Sequence, residues 1–126
     1  MEHKLKILRV YDLTEETTGY RVLVDRLWPR GLRKEALWLD RWAKEVAPSP
    51  ELRKWFGHAE KRLDEFASFY RAELDGSIEA HQFAQDMGRL LGDQDVLLLY
   101  AAKSSTCNHA VILRDWLTER MEEKKR

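Results

Sequence analysis

The sequence predicts a single α/β domain in which a small, mostly parallel sheet is covered by helices in layers. Three observations carry that prediction. Val96 to Ala102 is an unbroken apolar run, the pattern of a strand whose two faces are both covered. Leu63, Phe66, Ala67, Tyr70 and Leu74 recur at helical spacing, and so do Ala80, Phe83, Ala84, Met87, Leu90 and Leu91. The chain of 126 residues has no linker-like tract, so residues 1–126 read as one domain around one core.

From Lys4 to Tyr11 apolar and basic residues mix, and polar turn formers follow from Thr14 to Gly19, which predicts a first strand and a loop. Arg21 to Arg26 carries Val22, Leu23 and Val24 and stops at Trp28-Pro29-Arg30-Gly31, because proline lacks the N–H that a ladder needs. That is a second strand with its exit loop. Leu37 to Val46 fits either a helix or a short extended segment, and the extended form is favoured here. Ser49 is a good N-cap, Pro50 fits the first helical position and Gly57 the left-handed stop, so a short helix is expected between them. Two amphipathic helices follow, from about Ala59 to Leu74 and again after the cap Ser77. Gly92 and Asp93 break the chain before the central strand, and Leu113, Trp116, Leu117 and Met121 give a last helix its stripe. The charged end from Glu122 to Arg126 is expected to fray.

Composition narrows the function classes. Apolar residues make up 44% and charged residues 35%, enough hydrophobe to bury a core and unlike the signature of disorder. Formal net charge is zero, so the molecule lacks the bulk positive field of a non-specific nucleic-acid binder, and any basic function must be local. Cys107 stands alone, which excludes an intramolecular disulfide and a multi-cysteine zinc site and suits a reducing compartment. A polar N-terminus and the lack of a long apolar run predict a cytoplasmic chain with no membrane partner.

In open α/β sheets ligands gather beyond the carboxyl ends of the strands. Two loops qualify. The first, after strand two, presents Asp25, Arg26, Trp28, Arg30 and Arg33. The second, after the central strand, presents Lys103, Ser104, Ser105, Thr106, Cys107, Asn108 and His109. Arg26 and Arg30 are either guanidinium forks for phosphate or carboxylate, or structural bridges, one of them to Asp25. Asp25 itself is read first as a tie for the loop backbone, the alternatives being to orient an arginine or to act as a base. Lys103 to His109 is either an anion nest or a set of caps for the last helix, and both can hold. Cys107 and His109, two residues apart, rarely make a nucleophile and its base, and Leu113 stands where a phosphatase-like loop would carry arginine. His109 is the better proton donor or ligand-orienting group, since imidazole titrates near neutrality; the alternative is a histidine bonded to backbone at a helix start. Of five tryptophans most are expected in the core, with Trp28 nearest a ligand and its bond to Pro29 a candidate for the cis form. No Walker pattern and no metal-ligand spacing is present, so no metal and no cofactor are called for.

The run Val22-Leu-Val-Asp-Arg-Leu-Trp-Pro-Arg-Gly31 resembles the YeaO-like branch of domain-of-unknown-function family 488. Ala47-Pro-Ser49 with Leu52-Arg-Lys-Trp-Phe-Gly-His58 resembles the family's middle segment. Phe66 to Leu74 resembles the helix after it, and Leu98-Leu-Tyr-Ala-Ala-Lys103 with Asn108-His-Ala110 resembles its last strand, loop and helix. Relatives in the wider family carry Cys-His-Arg where this chain has Asn108, His109 and Ala110, and Cys107, one position early, does not replace that thiol. The resemblance brings no activity with it.

The residues therefore point to an anionic small molecule, of phosphate type, held by Arg26, Trp28, Arg30, Lys103, Ser104, Asn108 and His109. Were there catalysis, His109, Asp25 and Lys103 are its candidates. A nucleic-acid module using Trp28, Arg30, Arg33 and Lys34 is the alternative, and a non-catalytic interaction or dimerisation module the third.

Overall fold

A computed structural model describes residues 3–124. Four strands form one all-parallel sheet: β1 (Leu5–Arg9), β2 (Tyr20–Leu23), β3 (Arg41–Trp42) and β4 (Val96–Tyr100), in the order β1-β4-β2-β3. Five α-helices accompany it: α1 (Lys34–Leu37), α2 (Pro50–Phe56), α3 (Leu63–Asp75), α4 (Ile78–Leu90) and α5 (His109–Lys124). β4 is central as its apolar run requires. Leu5 pairs with Val96 and Val22 with Leu98, and all five of its residues are buried.

Alternation along the strands divides the core in two. Val22, Val24, Val96, Leu98 and Tyr100 face the long helices and pack with Phe66, Tyr70, Phe83, Met87, Leu113 and Trp116. Leu23, Leu97 and Leu99 face the other way, onto Val10, Leu37, Trp28 and Trp42. Helices thus cover one face fully, whereas the second face is covered by the β1–β2 connection and the chain around the single-turn α1.

Local signals act where the sequence places them. Ser49 Oγ accepts the Leu52 N–H at 3.2 Å, Pro50 opens α2, and Gly57 closes it at φ +52°. Ser49 also binds Glu73 of α3 twice, through its N–H (2.9 Å) and its hydroxyl (2.6 Å), which anchors α2 to α3. Ser77 caps α4 through the Ala80 N–H. Gly19 has φ +125°, and a Cβ there would lie 3.1 Å from the Asp95 carbonyl, which accepts the Tyr20 N–H.

Three expectations change. The extended reading of Leu37 to Val46 holds only for Arg41–Trp42, since one helical turn precedes it and a 3₁₀ turn, Lys44–Val46, follows. Tertiary bonds decide this: Arg21 donates to the Leu37 carbonyl (2.8 Å) and its N–H to Asp40 Oδ2 (2.8 Å). The Trp28–Pro29 bond is trans, the lower-energy isomer. α5 stays helical to Lys124 instead of fraying from Glu122, and residues 125 and 126 lie outside the described residues. Among the tryptophans Trp38 departs from the core, 74% exposed at φ +48°, while the other four pack against it. No helix among the described residues is long and apolar enough to cross a membrane.

Ser49→Ala removes the N-cap and the hydroxyl tether to Glu73 and leaves the tether through the main-chain N–H. The expected loss is about 1–2 kcal/mol, measured by urea unfolding; an unchanged midpoint would show that α2 is held by its apolar face alone.

Candidate functional site

The exits of β2 and β4 lie side by side because the two strands are neighbours in the sheet. Past the last paired residue, the Val24 N–H still reaches the Leu99 carbonyl at 3.0 Å, so the two exits leave in register. Asp25 then bridges them: its Oδ2 accepts the Ala101 N–H at 3.0 Å, and its main-chain carbonyl accepts Trp42 Nε1–H at 2.8 Å. The tying role read from the sequence is present in the structure. The anticipated bridge from Asp25 to arginine is not, because histidine occupies the place.

His109, the first residue of α5, sets its Nε2 2.9 Å from the Val24 carbonyl and 3.4 Å from Asp25 Oδ1. A carbonyl only accepts, so Nε2 carries the proton in every state of the ring and Nδ1 is the nitrogen that titrates. The ring also meets the edge of Tyr70, with centroids 6.0 Å apart. Asp25 and His109 are 18% and 15% exposed. Burial raises the Asp25 carboxyl above its ordinary range, against the lowering effects of His109, the Ala101 N–H, His58 and Arg53. Burial likewise lowers the His109 imidazole, against the raising effect of Asp25. Both groups are pushed toward their neutral forms.

These two side chains line a cleft of about 390 Å³. Arg26, Trp28, Arg30 and His109, four of the residues singled out by sequence, line it together with Asp25. Arg26 directs Nη2 at the carbonyls of Pro48 (3.3 Å) and Ala47 (3.5 Å), and its buried Nε has no partner among the described residues. Trp28 donates Nε1–H to the Leu32 carbonyl at 2.6 Å and meets Trp42 edge-on at 5.3 Å. Arg30 is exposed, and its carbonyl accepts the Tyr11 hydroxyl at 2.8 Å.

Lys103, Ser104 and Asn108 are not in the lining. Their loop is bonded to itself: Ser104 Oγ accepts the N–H groups of Thr106 (3.2 Å) and Cys107 (2.9 Å), and Asn108 Nδ2 donates to the Ser104 carbonyl at 2.7 Å. Asn108 Oδ1 accepts the Val111 N–H at 3.1 Å and so caps α5. The N–H groups of Thr106, Cys107 and Val111 are thereby occupied within the loop. Cys107 is buried 3.7 Å from the His58 carbonyl, outside the cleft, with its thiol raised by burial and by the charge of Glu60. Among the described residues no group of three or more His, Cys, Asp or Glu side chains is placed to hold a metal ion.

Sequence reasoning missed Tyr11, Arg53 and His58 in the lining. Arg53 and His58 lie in the Leu52–His58 segment that carried part of the resemblance, which was the available signal. Tyr11 had none, since only folding sets it against the Arg30 loop.

Because His109 is held below the ordinary imidazole value of about 6.5, its contribution to stability is full above that pH and is lost as pH falls through the window beneath it. Asp25, held above the ordinary carboxyl value of about 3.9, acts in the opposite sense, losing stability as pH rises through its own raised value. His109→Gln, which keeps a donor for Val24, is therefore expected to remove the loss of stability just below about pH 6.5. Thermal unfolding across pH measures this, with the wild-type imidazole followed by NMR. A His109 midpoint at or above the ordinary value would contradict it.

A family model described as the inactive DUF488-N3 subclade matches residues 4–126. An uncharacterised protein of Escherichia coli (strain K12), YeaO, is 47% identical over 109 residues, which cover 86% of this chain and 92% of that one. Uncharacterised proteins of Mycobacterium tuberculosis (strain H37Rv) and Mycobacterium bovis are each 39% identical over 119 residues, covering 94% of this chain and 98% of theirs. No solved structure matches the chain.

Proposed function

Because this chain belongs to the YeaO-like DUF488 proteins, within the subclade described as inactive, we propose that its cleft binds a small anion of phosphate type and holds it without turning it over. One observation carries the reading. Arg26, Arg30, Arg53, His58 and His109 gather around a single 390 Å³ cleft in which Asp25 is the only carboxylate among the lining residues.

The volume is that of a small-molecule pocket. Guanidinium groups match phosphate oxygens in bidentate geometry, and the two exposed ones, Arg30 and Arg53, come from different elements and so can grip from two sides. Binding is favoured over turnover by the description of the subclade and by Asn108, a capping amide where relatives in the wider family carry a thiol. Zero net charge over the chain favours a local grip over a nucleic-acid surface.

The experiment is thermal stability of the wild type and of Arg30→Ala with phosphate, sulfate, sugar phosphates, nucleotides and short oligonucleotides. A ligand at about 100 times its Kd stabilises the fold by about 2.7 kcal/mol. The expected result is a selective shift with a phosphate-bearing molecule that Arg30→Ala abolishes. A shift that survives Arg30→Ala, or none with any anion, would remove the cleft as the site.

A further inference from the structure

Anion binding leaves the apolar part of the cleft wall unexplained. Large hydrophobic side chains stand exposed at five places among the described residues, and two of the five, Tyr11 (40%) and Leu27 (57%), line this cleft. Single exposed apolar residues are ordinary on any protein surface, but here two of them converge with the indole of Trp28 on the space that also receives the arginines.

The polar atoms of both rings are already engaged by the protein. Trp28 Nε1–H is bonded to the Leu32 carbonyl and the Tyr11 hydroxyl to the Arg30 carbonyl. Trp28 is further fixed edge-on to Trp42, and the Arg9 guanidinium lies 4.6 Å from the centre of the Tyr11 ring. Two rings whose N–H and O–H donors are both spent on main-chain carbonyls offer a ligand chiefly apolar surface, and their ordering cost is already met by folding. The Tyr11 hydroxyl bond also fastens that surface to the backbone of Arg30, so apolar wall and cationic grip keep a set separation.

We propose that the ligand is a phosphate monoester of a flat aromatic or heteroaromatic group, its ring against Tyr11, Leu27 and Trp28 and its phosphate on Arg26, Arg30 and Arg53. The proposal rests on the anion reading above and adds the chemical class of what carries the anion. A bare phosphate would leave the apolar wall in water, and a polyol phosphate would set most of its hydroxyls against apolar surface with no donor to spare.

Calorimetric titration of the full chain with inorganic phosphate, glycerol phosphate, phenyl phosphate and phenol tests it. Phenyl phosphate is expected to bind about tenfold tighter than glycerol phosphate, the scale of burying part of one ring. Leu27→Ser, at an exposed position, should reduce that preference by about threefold. Trp28→Leu, checked for an unchanged fold by circular dichroism, should reduce it further. Equal affinities for the two esters, or a preference that survives both substitutions, would overturn the ring assignment and leave the anion site standing. Silence from all three phosphates would overturn the anion reading and this proposal with it. Phenol binding as tightly as phenyl phosphate would show an apolar pocket with no role for the arginines, which also overturns both.

Discussion

Asp25 is where four pieces of the chain are held together. Its Oδ2 takes the N–H of Ala101 as β4 ends, its main-chain carbonyl takes the Trp42 indole from β3, and its Oδ1 faces His109 at the start of α5. It stands at the exit of β2 itself. A carboxyl group so placed loses most of its hydration, and burial outweighs the nearby positive charge and the N–H it accepts, so its acidity is weakened. The one hydrogen bond its side chain makes, to the Ala101 N–H, offsets that cost only in part, and its Oδ1 has no hydrogen-bond partner among the described residues. Without its carboxyl group the Ala101 N–H would need a new partner at the edge where the cleft opens.

The asymmetric covering of the sheet explains why a cleft forms there. The long helices pack on one face, and the opposite face is closed by irregular chain around Val10, Leu37 and Trp28. Irregular chain must bond its own polar groups as it crosses, which is why Trp28, Tyr11 and Arg26 all spend side-chain atoms on main-chain carbonyls. Those bonds make the walls of the cleft rigid. At the other wall α2 brings Arg53 into place, and α2 is itself fixed by its cap Ser49 and the carboxylate of Glu73 on α3.

The loop before α5 shows how one set of residues admits two roles that only the fold separates. Lys, Ser, Thr, Asn and His after a central strand have the composition of an anion nest. In the folded chain Ser104 accepts the N–H groups of Thr106 and Cys107, Asn108 accepts that of Val111, and of this loop only His109 lines the cleft. Capping prevailed because its partners lie within four residues and need no ligand to satisfy them.

Much of the architecture was legible in the sequence by itself. The all-apolar run of β4 meant a central strand, the stripes of α3 and α4 meant helices on a core, and Ser49, Pro50 and Gly57 marked the ends of α2, because each of these signals is local and repeats at the period of its element. The loop of Asp25, Arg26, Trp28 and Arg30 was equally legible as a place for a site. Only the tertiary structure decided the rest. It set His109 beside Asp25 across 84 positions of chain, brought Tyr11, Arg53 and His58 into the same cleft, and shortened the segment from Leu37 to Val46 to two strand residues between helical turns. Those outcomes depend on contacts between residues far apart in the chain, whose partners no local pattern records.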